Sequence, residues 1–419
     1  MRSEYQNLAN RSISRRGLYR RGVVTTEQLH DRAFSLDPFP IWTQLRHESP
    51  IFYDAHDRVY VVSRHPDVIK AFSDSERFTA RLYRKTLGAV FGPNLLVWEG
   101  QHHVDQRKVV APLFVPTRLD RYRELVEGVI DELLASVDPT GFDLVKDVSS
   151  LLPGKVIVRL LGLPPSDDQR FHEWYETMMQ GLWNDPVMRQ RGREAHSALH
   201  KHIDPIVADR RLVPRDDILS RLIAAEVEEL PSFISLLLTA GGETTDKAIG
   251  NMWMNLLAHP MQLDVVRSDS GMLDRAFDET MRHSPSLVYL GREVLEDVDW
   301  HGVNIPKGGE LRLAVGSANH DETVFERPDI FDIHRTDLHH GLEHRTAAYD
   351  DGAGHIAFGA GAHFCIGYAL ARMETVTAAR MLLDPSVRLR RSATCPRCVS
   401  SDPHGSHQRF PYDGQRHSH

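Results

Sequence analysis

One cysteine in this chain sits in a setting that can do chemistry. Cys365 lies in the run Phe358, Gly359, Ala360, Gly361, Ala362, His363, Phe364, Cys365, Ile366, Gly367. Three glycines within nine residues permit positive φ and let a flat ligand approach the backbone. An amphipathic stretch follows at once (Tyr368, Leu370, Met373, Val376, Ala379, Leu382), so Cys365 stands at a helix start. Free N–H groups and the helix dipole favour an anion there, here a thiolate. A thiolate held this way suits haem iron as an axial ligand, and its electron donation helps cleave the O–O bond of dioxygen. An isolated Gly-x-Cys would read instead as a buried cysteine in a turn.

A second stretch has an unusual composition. A helix opening near Pro231 and running to about His259 carries Ala240, Gly241, Gly242, Glu243, Thr244 and Thr245 at its centre. Two adjacent glycines inside a helix cost roughly 2 kcal/mol relative to alanine. That cost points to close backbone approach or a local distortion. Leu237, Gly241, Thr244 and Ala248 share one face. Two weaker pairs complete the set. His103 and Arg107 are four apart on a helix over 101–114, and Glu279 and Arg282 are three apart on a helix over 272–283. Taken alone, the first is a solvated polar face and the second a commonplace ion pair.

The full pattern Phe-Gly-x-Gly-x-His-x-Cys-x-Gly, followed by Ala371-x-x-Glu374, resembles the haem-binding signature of the cytochrome P-450 family. The resemblance runs over roughly residues 35–390 and is to the soluble bacterial type. It implies that Cys365 ligates the iron of haem b (iron protoporphyrin IX), with Phe358, His363 and Gly367 in the cofactor loop. It implies that His103, Arg107 and Arg292 hold the haem propionates, for which an arginine fork and a His N–H are suited. The glycine-rich helix becomes the oxygen-binding element, with Thr244 hydrogen-bonding bound dioxygen and Glu243 relaying protons from solvent. Glu279 and Arg282 become a buried pair completed by Arg335. The implied fold is mainly α, a triangular helical domain with a small β-rich subdomain near the N-terminus.

The elements that must position these residues are legible in outline. Residues 38–75 read as helix, strand (51–53), strand (59–62) and helix, and 77–97 show no clear pattern. From 118 to 228 the chain is mainly helical, with breaks at Pro139–Gly141, Pro164–Pro165, Asp185–Pro186 and Pro214. Aromatics and methionines between Phe171 and Trp183 suit core packing, and by resemblance a pocket roof. Residues 293–318 alternate as strands with a turn at Pro306–Gly309. About twenty residues, including His339, His340 and His344, separate Arg335 from the Cys365 loop, where bacterial relatives pass quickly; this histidine-rich insertion (336–354) reads as a surface loop.

Three divisions follow: a basic tail (1–30), a catalytic domain (31–391) and a polar C-terminal tail (392–419). Six arginines and one acid in the first 21 positions resemble a transit peptide, but a disordered basic tail fits the bacterial character better. In the C-terminal tail, Cys395, Cys398, His404 and His407 offer zinc donors, yet the five residues between Cys398 and His404 are too few for a zinc finger. A net charge of −8 argues against nucleic acid, and no apolar run of about 18 residues spans a membrane. Three cysteines give no disulfide framework and fit a reducing, cytoplasmic location. The activity expected is oxygen insertion from dioxygen into a small hydrophobic organic substrate. Electrons would come from NAD(P)H through ferredoxin and ferredoxin reductase, since no flavin domain is fused. Arg107, Lys108 and Arg372 would supply charge for docking on the cysteine side. Coupling, desaturation, nitration or peroxide-driven oxidation on the same scaffold, and a non-catalytic haem-binding protein, stay open.

Overall fold

Where apolar residues repeat every three to four positions, the chain is helical. The structure is a computed structural model that describes residues 23–138, 142–183, 185–339 and 354–384, with 387 and 389. The expectations for Pro139–Gly141, for Cys395, Cys398 and the C-terminal tail, and for most of the basic tail and the histidine-rich insertion fall outside these residues.

The helices that frame the interior are α1 (Phe39–Glu48), α2 (His65–Ser73), α3 (Gly100–Val110), α4 (Arg123–Ser136), α5 (Leu152–Leu160), α6 (Asp168–Gln180), α7 (Pro186–Leu212), α8 (Leu230–Ala258), α9 (Leu273–His283) and α10 (Tyr368–Leu382). Their boundaries follow local chemistry. Asp185 accepts the Val187 and Met188 N–H groups and Pro186 opens α7, a capped start with proline where no N–H is needed. The chain enters α8 through Glu229 in the left-handed region (φ 51°), with Pro231 in the first turn. Pro205, inside α7, does not end it. α8 is the central element: seventeen of its residues are buried, and it packs against α5, α6, α9 and α10.

Among the described residues seven short strands carry the β structure: β1 (Ile51–Asp54), β2 (Val59–Val62), β3 (Phe78–Thr79), β4 (Leu290–Val294), β5 (Val298–Trp300), β6 (Val303–Ile305) and β7 (Glu310–Leu313). Five form one sheet in the order β1-β2-β7-β4-β3. β2 pairs parallel with β7 (Val59 opposite Glu310), and the other pairs are antiparallel. The sheet therefore draws on two distant parts of the chain and is not an N-terminal unit. β5 and β6 form a hairpin whose two-residue turn, His301 (φ 53°) and Gly302 (φ 77°), has the positive dihedrals that match strand twist. Residues Val315–Ala318, expected as strand, form a helical turn, with Ala314 as its cap. The unpatterned 77–97 contains β3, a 3₁₀ stretch Arg81–Lys85 and a helix Leu87–Phe91. Elements this short show no period.

Candidate active site

The loop before α10 owes its shape to two glycines. Gly359 (φ 69°) and Gly361 (φ 70°) take left-handed conformations. A Cβ on Gly361 would lie 2.3 Å from the Phe72 carbonyl oxygen, so the loop passes directly over the end of α2. Gly367 has an ordinary φ of −83° and serves as the cap of α10. The Cys365 N–H donates to the Phe358 carbonyl at 3.0 Å and the Phe364 N–H to Gly361 at 3.0 Å, which closes the loop on itself. Cys365 lies deep in the protein, but its side chain opens onto the internal cavity. Burial pushes its thiol up, against the opposing pull of the Gly367 N–H, the Arg107 charge and the Tyr368 N–H. The helix start thus aims two N–H groups at the sulfur without outweighing burial. A thiolate here calls for a cation on the sulfur, as a coordinating metal provides.

Around this loop stands a group of basic side chains. Arg107 on α3 donates to the Phe364 carbonyl at 2.5 Å. His103, one turn earlier, is 1% exposed, and its Nε2 has no hydrogen-bond partner. Burial and the neighbouring His363 and Arg107 charges lower its pKa to about 4, so the ring is neutral near pH 7. The His103 and His363 rings lie 4.1 Å apart. His363 meets Glu99 at 3.3 Å. Burial opposes ionisation of Glu99, but His363, Thr79 and the Ala80 N–H prevail and hold its carboxyl at about 2. Arg292 on β4 is 5% exposed, lies 4.8 Å over the Phe72 ring and donates to the Gly291 carbonyl. Glu374 is buried on α10, with Oε2 unpartnered and its carboxyl pushed well up by burial.

On α8 the two glycines have different causes. A Cβ on Gly242 would sit 3.0 Å from the Tyr175 ring of α6, so this residue permits close packing. Gly241 lines the cavity, and a Cβ there would meet only Ile157 of α5, at 3.7 Å. The helix continues unbroken through both. Thr244 Oγ1 donates to the Ala240 carbonyl at 2.8 Å, and Ser286 Oγ donates to the Thr244 carbonyl at 2.7 Å. Glu243 pairs with Lys247 at 2.5 Å. Behind them Ser149 donates to Asp246 at 2.5 Å, while burial raises the Asp246 carboxyl to about 6. Tyr175, packed beside this group, has its phenol raised by burial and by the Glu243 and Asp246 charges.

Cys365, Phe358, His363 and Gly367 from the loop, Glu243 and Thr244 from α8, His103 and Arg107 from α3 and Arg292 from β4 all line one cavity of about 330 Å³. Its remaining wall is mostly apolar, with Leu87, Leu95, Phe233, Leu236 and Leu237. Glu279, Arg282 and Arg335 lie outside it. Arg282 bonds both Glu279 oxygens (2.7 and 2.8 Å), and Arg335 approaches Glu279 at 3.3 Å. All three are buried, and the two guanidinium groups also bind carbonyls of 319–330.

The family model for cytochrome P-450 matches residues 168–388. Pulcherriminic acid synthase of Bacillus subtilis is 30% identical over 369 residues, covering 85% of this chain and 90% of that protein. The chain belongs to the cytochrome P-450 family. Cyclomarin C epoxidase of Salinispora arenicola is 30% identical over 361 residues (82% and 88% covered). The ligand-free cytochrome P-450 TbtJ1 superposes with a TM-score of 0.74 at 32% identity, over 83% of this chain and 89% of that one. This cytochrome P-450 is thus a haem-thiolate oxidoreductase of the monooxygenase type. Among its described residues no helix is long and apolar enough to cross a membrane.

Several side chains at this P-450 site went unread in sequence. Glu99 left a weak signal, as the acid just before the α3 helix. Ser149, Asp246 and Ser286 left none, because each acts across a contact between distant segments. The three cations expected to face a partner lie in different settings. Arg107 turns inward, Arg372 pairs with Asp274 at 3.0 Å, and Lys108 alone is largely exposed, 3.8 Å from Asp105.

Proposed function

We propose that this cytochrome P-450 holds haem b through Cys365 and inserts one atom of dioxygen into a neutral, largely apolar organic substrate. Electrons come from NAD(P)H through a ferredoxin and its reductase. The observation that carries the reading is the convergence on one cavity of the Cys365 sulfur, the basic group of α3 and β4, and Thr244 of α8. The residues fit the cofactor. The sulfur faces the cavity with two N–H groups behind it, the orphaned His103 Nε2 suits one propionate oxygen, and Arg107 and Arg292 supply cationic donors. Haem bound there supplies the reductive activation of dioxygen. We read residues 31–391 as the catalytic domain.

The chain's own residues would then manage protons and exclude water. The apolar wall selects an uncharged substrate and keeps bulk solvent from the reacting centre. Thr244 holds its proton on the Ala240 carbonyl, so its oxygen lone pairs face outward as acceptors. To donate, the hydroxyl must leave that bond, at a net cost of about 1 kcal/mol. Glu243, tied to Lys247, would pass protons inward when that pair opens. Hydroxylation and epoxidation draw on the same donors, and one relative is named as an epoxidase.

The test is Thr244→Ala against wild type with a surrogate ferredoxin, its reductase and NADPH. Haem content, the carbon monoxide spectrum and substrate binding should stay unchanged. The ratio of organic product to NADPH should fall by about 10²-fold, with hydrogen peroxide formed instead. Unchanged coupling would remove Thr244 from proton delivery, and absence of any substrate-dependent turnover in wild type would favour a non-catalytic haem protein.

A further inference from the structure

Remote from the cysteine loop in sequence, the turn after edge strand β1 meets the end of the helix Thr26–Leu29. Four side chains converge there: His30, which caps that helix, Asp54 at the end of β1, and His56 and Asp57 of the turn. His30 Nε2 lies 2.9 Å from Asp54 Oδ2, and His56 Nδ1 lies 2.9 Å from Asp57 Oδ1. The two imidazole rings are 4.2 Å apart. One donor atom from each of His30, His56 and Asp57 falls within 4.8 Å of the other two. We propose that His30, His56 and Asp57, with Asp54 beside them, form a binding site for a divalent transition-metal ion of the zinc type.

The argument rests on what the contacts demand. The unprotonated imidazole of each histidine carries one ring lone pair that a cation can take. Each His–Asp contact is a hydrogen bond, with one proton between a ring nitrogen and a carboxylate oxygen. A divalent cation can take the place of such protons and bond the same nitrogen and oxygen atoms. Imidazole nitrogen and carboxylate oxygen bind zinc at about 2.0–2.2 Å, which requires donors about 3.3 Å apart, within reach of small side-chain rotations. Imidazole also accepts nickel and copper. Arg312 opposes the ion's charge, since it binds Asp57 Oδ2 at 2.6 Å and approaches Asp54 Oδ2 at 3.5 Å. It leaves Asp57 Oδ1 to the ion, however, and becomes the outer partner that orients the carboxylate. With both histidines neutral, the two carboxylates and Arg312 leave one net negative charge for the cation. Asp54 has no exposed surface and also accepts the His56 N–H, so one fixed carboxylate organises the group. The bound ion would staple residues 26–30 to the β1–β2 turn.

The experiment uses the full-length haem-loaded protein after chelator treatment. Zinc binding to wild type is compared by calorimetry with binding to the His30→Ala/His56→Ala double variant. Cys395, Cys398 and the tail histidines contribute the same background in both. Wild type should show one further site, weakened in the variant by more than the ~10–100-fold that loss of an outer partner alone costs. The variant should keep its carbon monoxide spectrum, because neither histidine lines the cavity. Zinc-soaked wild-type crystals provide the second measurement and should give an anomalous peak between the two rings. Equal zinc stoichiometry and affinity in both proteins, or no peak at that position, would overturn the proposal. Neither readout depends on turnover, so failure here leaves the proposed activity intact, and failure of that activity leaves the metal site intact.

Discussion

At Asp246 burial and a hydroxyl act in opposite directions. Burial raises the carboxyl to about 6 from an ordinary 3.8, and the Ser149 hydrogen bond and the Lys247 charge only partly offset it. A folded-state pKa above the unfolded one means that the native protein binds the extra proton between these values. The contribution to stability is fully present below pH 3.8 and is lost as pH rises through about 6. Two pKa units correspond to at most about 3 kcal/mol. Asp246→Asn keeps a partner for Ser149 and removes the titration. Urea-unfolding midpoints at pH 5 and pH 7.5 should therefore fall less with rising pH in the variant than in wild type. Parallel pH profiles would show that Asp246 does not carry this load. Residues like Asp246 mark the limit of sequence reading at this scale. Cys365, His363 and Thr244 stand in contiguous patterns whose spacing carries their chemistry. Asp246 gains its properties from burial and from its contact with Ser149, 97 positions away, and nothing in the local spacing reports that.

Between elements, the Glu279 cluster is the clearest test of how the chain is tied together. α9 supplies Glu279 and Arg282, and the segment after β7 supplies Arg335 and the carbonyls that complete both arginines. Glu279 also accepts the Asp332 N–H at 2.9 Å. Removing Glu279 strands the buried Arg282 guanidinium and leaves Arg335 with Asp337 as its acid partner, and breaking a buried pair in this way costs about 3–5 kcal/mol. Glu279→Ala should yield little folded, haem-loaded protein, measured as haem absorbance per polypeptide and as the thermal midpoint. Normal loading and stability would show that the backbone carbonyls alone suffice. Helix α8 teaches a different lesson. Its glycine pair was visible as a cost that needed a reason. The two reasons, a Tyr175 ring at Gly242 and open cavity at Gly241, became visible only with α6 and α5 beside it.

At the scale of the molecule, the long amphipathic helices were readable because each buries one face and so repeats. The five-stranded sheet was not, because β2 finds β7 some 250 residues away and neither strand records its partner. The cavity lies where α8, the Cys365 loop, α3 and β4 meet, and we assign its chemistry to the Cys365 thiol on one side. The most direct test of the account is therefore spectroscopic. Reduced wild-type protein under carbon monoxide should show the strongly red-shifted Soret band of thiolate-ligated haem. Cys365→Ala should lose that band, while Cys395→Ala and Cys398→Ala should retain it. A Cys365→Ala protein that keeps the red-shifted band would contradict the assignment of Cys365 as the iron ligand, and with it the account of the site.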